Sequence, residues 1–170
     1  MKILKDYPFL LQSDYGEALD CTLTSITGVI KYQFKYAPAP DNIYEIVEHI
    51  AKRNFYNGKK WGTPNICISN IIRDSIKVIS GSAFTTRSGF FKGIGFTFYT
   101  FKSCIDNNVP VIITTKNIKN TKYKNHTVIV IGYDEEDELL FISDNWEKKD
   151  KVINYSDISF FSSINYVSLL

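Results

Sequence analysis

Near residue 108 the hydrophobic pattern of this chain changes period, and that switch constrains the fold more than any other feature. Before it, apolar residues recur at helical spacing. Leu23, Ile26 and Ile30 share one helix face after Asp20-Cys21. Ile43, Ile46, Val47, Ile50 and Ala51 repeat the pattern after Asp41, and Ile68, Ile71, Ile72, Ile76 and Ile79 after Thr63-Pro64. A shorter helix is predicted around 97–107, with Phe98, Phe101, Cys104 and Ile105 inward. Asp20 and Asp41 are expected as N-caps and Pro64 at a first helical position. After the switch the pattern is β: Val109-Pro110-Val111-Ile112-Ile113-Thr114, then strands over 127–133, 139–143, 151–155 and 165–170. The acidic turn Asp134-Glu135-Glu136-Asp137 joins the second and third of these runs as a hairpin. Helices first and sheet second predict an α+β fold. Residues 80–97, rich in glycine and phenylalanine, are expected as a loop or short extended pieces. A length of 170 residues suits one domain, 1–170, with 1–108 mainly helical and 109–170 mainly sheet.

Composition removes several classes of function. Net charge is +2 with both signs scattered, and no lysine or arginine stripe forms, so no nucleic-acid partner is expected. The lysines from Lys116 to Lys124 read as a solvated loop. No apolar run approaches membrane-spanning length, and Met1 to Asp6 lacks the core of a signal peptide. A soluble cytoplasmic protein with no membrane partner is expected. Three dispersed cysteines and two histidines lack ligand spacing, so neither a metal site nor a cofactor is expected. Nothing in the sequence speaks to oligomeric state.

One constellation does carry chemistry. Cys21 falls at a helix start, where unpaired N–H groups and the helix dipole favour a thiolate and can hold an oxyanion. His126 opens the run Thr127 to Tyr133, and Asp144 follows the strand Leu139 to Ser143. Antiparallel pairing puts both at the same end of the strand pair, where the carboxylate can orient the imidazole. Trp146 could shield that contact from water. Each residue also has a plainer reading: a small buried hydrophobe, a half-exposed strand-end histidine, a turn aspartate. Cys67 and Cys104 lie on apolar helix faces and read as core, and His49 reads as surface.

These segments carry a resemblance. Cys21-Thr22-Leu23-Thr24-Ser25-Ile26 is similar to the C-G-P-T-S-L helix start of the papain-like cysteine peptidases, in the bacterial branch of the double-glycine peptidases. Asn107-Asn108-Val109-Pro110-Val111-Ile112-Ile113 resembles that branch's strand entry. His126 to Asp134, followed by Phe141 to Trp146, resembles its H-x-V-V-V-x-G-Y-D hairpin and terminal N/D-x-W. The resemblance implies a papain-like fold, with a central Cys-bearing helix packed on a C-terminal antiparallel sheet. It implies Cys21 as nucleophile, His126 as general base and then acid, Asp144 as the orienting residue, and Gln12 as the amide completing an oxyanion hole. Thr22 stands where the family commonly has glycine, and Gln12 lies further upstream than usual. The implied function is a cysteine hydrolase acting on a peptide or an amide-containing small molecule. An acyl or amide transferase on the same scaffold, and a catalytically idle binding domain, are the alternatives.

Overall fold

The computed structural model describes residues 1–15, 20–35, 37, 40–82 and 84–168. Residue 83 of the segment expected as a loop over 80–97 and the last two residues of the strand expected over 165–170 lie outside the described residues. The architecture is α+β, with four α-helices and a seven-stranded sheet among the described residues. The helices are α1 (Cys21–Gln33), α2 (Ile43–Arg53), α3 (Ile68–Ser80) and α4 (Phe98–Asp106). The strands are β1 (Lys2–Ile3), β2 (Thr85–Phe90), β3 (Val111–Asn117), β4 (Lys124–Asp134), β5 (Leu139–Ser143), β6 (Lys151–Asn154) and β7 (Ser163–Ser168). Their order is β2-β7-β3-β4-β5-β6, with β1 on β4, and every pairing is antiparallel. No helix among the described residues is long and apolar enough to cross a membrane.

α1 is the central helix. Thr22 through Ile30 are buried without a break, because α1 packs on α2 and on strands β3 and β4. Its threonines, serine and glycine let those neighbours come close from several sides, whereas α2 and α3 carry a one-sided stripe. β4 is buried from His126 to Tyr133, which explains its unbroken apolar run: both faces of the strand are covered, so the alternation of a half-exposed strand is absent.

Helix starts differ from expectation in instructive ways. Asp20 holds the N-cap position of α1, its carbonyl accepting the Thr24 N–H at 2.9 Å, but its side chain makes no cap bond; α2 begins one residue later than expected, with Asn42 rather than Asp41 at the N-cap. Pro64 is extended and leads into a 3-10 turn, Asn65–Cys67, before α3. Thr97 does cap α4, exchanging side-chain and backbone bonds with Thr100. The division at 108 is also not clean, since β1 and β2 come from the helical part. β1 reaches the sheet at Gly132, beside the bulge between Val130 and Gly132. A Cβ at Gly132 would lie 2.7 Å from the Lys2 carbonyl oxygen, so glycine is what admits this strand.

Candidate active site

The nucleophile candidate opens α1. Cys21 is the first helical residue and partly exposed, while Cys67 and Cys104 are buried. Its thiol meets the His126 ring and the N–H and hydroxyl of Thr127. Burial pushes the Cys21 thiol up, but the His126 and Thr127 interactions outweigh it and leave the pKa below the ordinary thiol value. Cys104 shows the opposite balance: burial without such partners pushes it up to about 12.

His126 is buried at 5 % exposure and lies within β4, opposite Thr115 on β3. The strand begins ahead of the expected start, at Lys124, so the histidine is inside the ladder and its ring is fixed by the sheet. Trp146 stacks on that ring with centroids 4.2 Å apart, and Tyr123 lies parallel to it at 5.7 Å. Two aromatic rings thus lie against the imidazole.

Asp144 reaches His126, but by a different atom than expected. The bond runs from His126 Nε2 to the Asp144 main-chain oxygen, at 2.9 Å. A carbonyl can only accept, so Nε2 carries the proton and Nδ1 is left as the basic nitrogen. The Asp144 carboxylate is held elsewhere. Its Oδ2 accepts from Lys151 Nζ at 2.5 Å and the Tyr123 hydroxyl at 3.0 Å, and its Oδ1 accepts from the N–H groups of Trp146 and Glu147. Burial raises its pKa, but Lys151, the Trp146 N–H and Tyr123 together hold it below the usual carboxylate value.

Asn145 is the residue that sequence reasoning misses. It sits inside the terminal N/D-x-W segment with no role assigned by pattern. Its side chain is buried and its backbone is left-handed at φ 62°. Nδ2 donates to Ser25 Oγ at 2.7 Å, to the Cys21 carbonyl at 3.2 Å and to the Thr127 carbonyl at 3.4 Å. Its own carbonyl accepts the Gln12 N–H at 2.8 Å. One asparagine therefore ties together the helix bearing Cys21, the strand bearing His126 and the turn bearing Gln12. The available signal is an asparagine just past a strand end, a residue type that tolerates the left-handed conformation.

A cleft of about 270 Å³ opens beside Cys21. Thr22, Thr114, Thr115 and Thr127 line it together with Trp61 and Phe161, whose rings are exposed. Thr22 is only 4 % exposed, and its hydroxyl lies 2.8 Å from that of Thr127, which also lines the cleft. The structure thus brings Cys21, His126, Asp144 and Trp146 to one place. Gln12 it brings to the edge, through main-chain contact with Asn145.

The family model described as "Peptidase_C39 like family" matches residues 4–169 of the chain. No curated protein matches it.

Proposed function

The chain belongs to the Peptidase_C39-like family, and on that premise we propose that it is a cysteine hydrolase cleaving a peptide or amide bond through an acyl-enzyme on Cys21. The observation that carries the proposal is an arrangement: Cys21 opens α1 against the His126 ring, which the Asp144 main-chain oxygen and Trp146 hold in place. Cys21 is half-shielded at a helix start, yet contact with His126 and Thr127 lowers its pKa against the burial that would raise it. A structural cysteine has no need of that balance, and Cys104 does not have it.

In the proposed reaction, Nδ1 of His126 takes the thiol proton, and the Sγ attacks the substrate carbonyl carbon. The carbonyl electron pair moves to oxygen, and the first-turn N–H groups of α1 face that developing charge. Gln12 is the candidate for a further donor, with its backbone anchored on Asn145. The imidazolium then gives its proton to the leaving amine as the C–N bond breaks. Water, deprotonated by the same imidazole, releases the acid from the thioester. Through this cycle the Asp144 carbonyl holds Nε2–H, so the ring neither flips nor turns away. Trp146 and Tyr123 keep water from competing for that bond.

An activated ester tests the proposal without knowledge of the substrate. Mixing the protein with p-nitrophenyl acetate is expected to give a burst of p-nitrophenolate and an acetyl thioester on Cys21 that then decays. The thioester should be absent from Cys21→Ala and strongly reduced in His126→Ala. Equal acetylation of Cys21, Cys67 and Cys104 would rule the proposal out.

A further inference from the structure

Asp20 directly precedes Cys21, and its carboxylate is fully buried. An aspartate in this place ordinarily turns its side chain back on the helix and accepts an N–H from the second or third helical residue. Asp20 makes no such bond. Its Oδ2 accepts from the Tyr44 hydroxyl at 2.7 Å, and its Oδ1 accepts from the Tyr56 hydroxyl. Both tyrosines are themselves buried. Tyr44 comes from α2 and is backed face to face by Tyr15, with ring centroids 3.9 Å apart and planes 7° apart. Tyr56 is seated under a loop that must be glycine at its closest point. A Cβ on Gly58 would come within 2.4 Å of the Tyr56 hydroxyl and 3.5 Å of Asp20 Oδ1.

An Asp20 without these partners would be free to cap α1. Its carboxylate would then occupy the N–H of Thr22 or Leu23 and set a negative charge at the helix start. An oxyanion formed on Cys21 needs the same donors and the same positive end. Asp20 forgoes that cap and takes two tyrosine hydroxyls instead. We propose that Tyr44 and Tyr56 are positioning residues that hold the Asp20 carboxylate off the first turn of α1, keeping its N–H groups open to the oxyanion. This rests on the acyl-enzyme reaction proposed above.

Two reagents separate this role from a merely structural one. p-Nitrophenyl acetate transfers its acetyl group by forming a C–S bond while the carbonyl pair moves to oxygen; collapse of that oxyanion expels p-nitrophenolate. Iodoacetamide alkylates the thiolate by direct displacement of iodide and forms no oxyanion. For Tyr44→Phe/Tyr56→Phe, acetylation of Cys21 is expected to fall on the order of tenfold or more, with the iodoacetamide rate unchanged. Adding Asp20→Ala to the pair removes the released carboxylate and is expected to restore most of the lost acetylation. Both rates falling together, neither falling, or no recovery with Asp20→Ala would each overturn the inference. If the double variant fails to fold, the single Tyr44→Phe and Tyr56→Phe variants carry the same comparison, and the same outcomes support or overturn the inference. A wild-type protein that takes no acetyl group on Cys21 would overturn the hydrolase proposal itself, and that failure is visible before any variant is made.

Discussion

Asp144 Oδ2 lies 2.5 Å from Lys151 Nζ, and Oδ1 accepts the N–H groups of Trp146 and Glu147, while the main-chain oxygen holds His126. The two functions separate by mutation. Asp144→Asn removes the charge but leaves the carbonyl, so the Cys21 thiol should keep its reactivity while the fold weakens by about 2 kcal/mol at pH 7, the cost of losing hydrogen bonds to a charged group in a part-buried pair. The sign with pH follows from the depressed carboxyl pKa. A folded-state value below the unfolded one contributes stability that is complete above the ordinary aspartate pKa of about 3.9 and lost as pH falls through the folded value. The gap between wild type and Asp144→Asn should therefore be full at pH 7 and close below about pH 4; urea denaturation at the two pH values measures it. The sequence places Asp144 at the right end of the right strand because antiparallel pairing leaves no choice. It does not choose between carboxylate and carbonyl, since that is decided by Lys151 on β6 and Tyr123 before β4, neither of which pattern alone brings near.

Among the elements, the β4 bulge shows how one small residue admits a whole strand. At Gly132 the chain has no Cβ, and β1 crosses within hydrogen-bonding distance of β4 there. Leu4, just beyond β1, continues the contact, its N–H donating to the Ile131 carbonyl at 2.7 Å. Gly132→Ala would drive a methyl group into the Lys2 carbonyl and Ile3, so β1 must shift or detach. Overpacking of this kind costs about 1–3 kcal/mol. The expected outcome is a lower thermal midpoint with faster amide exchange at Ile3 and Leu4, and an unchanged rate of Cys21 alkylation. Loss of alkylation would mean that β1 supports the site as well as the sheet. β1 itself is invisible in the sequence because two residues carry no periodicity, and β2 because its glycine and exposed positions break the alternation. The α1 start is legible as an element but not in its chemistry. Asp20 matches the helix-cap pattern, and only the fold supplies the tyrosines that take its carboxylate away.

Over the whole molecule, the change of period near residue 108 translates directly into the layers observed: α1 against the buried strands β3 and β4, α3 against β2 and β7, and α2 packed on α1 and α3. That much is readable because burial imposes period 3.6 on helices and period 2, or an unbroken apolar run, on strands. What the pattern does not hold is the junction where the two halves meet. Asn145 joins Cys21, Thr127 and Gln12, residues far apart along the chain, and such a junction leaves only one residue of signal. The proposed hydrolase function depends on that junction bringing the thiol and the imidazole together as one unit. The most direct test is the pH dependence of Cys21 alkylation by iodoacetamide in wild type and in His126→Ala. Wild type is predicted to react with a midpoint below the free-thiol value of about 8.5. Without the imidazole, burial dominates, and the His126→Ala midpoint is predicted to move above that value. A wild-type midpoint at or above the free-thiol value, or one that His126→Ala leaves in place, would contradict a thiol activated by this histidine.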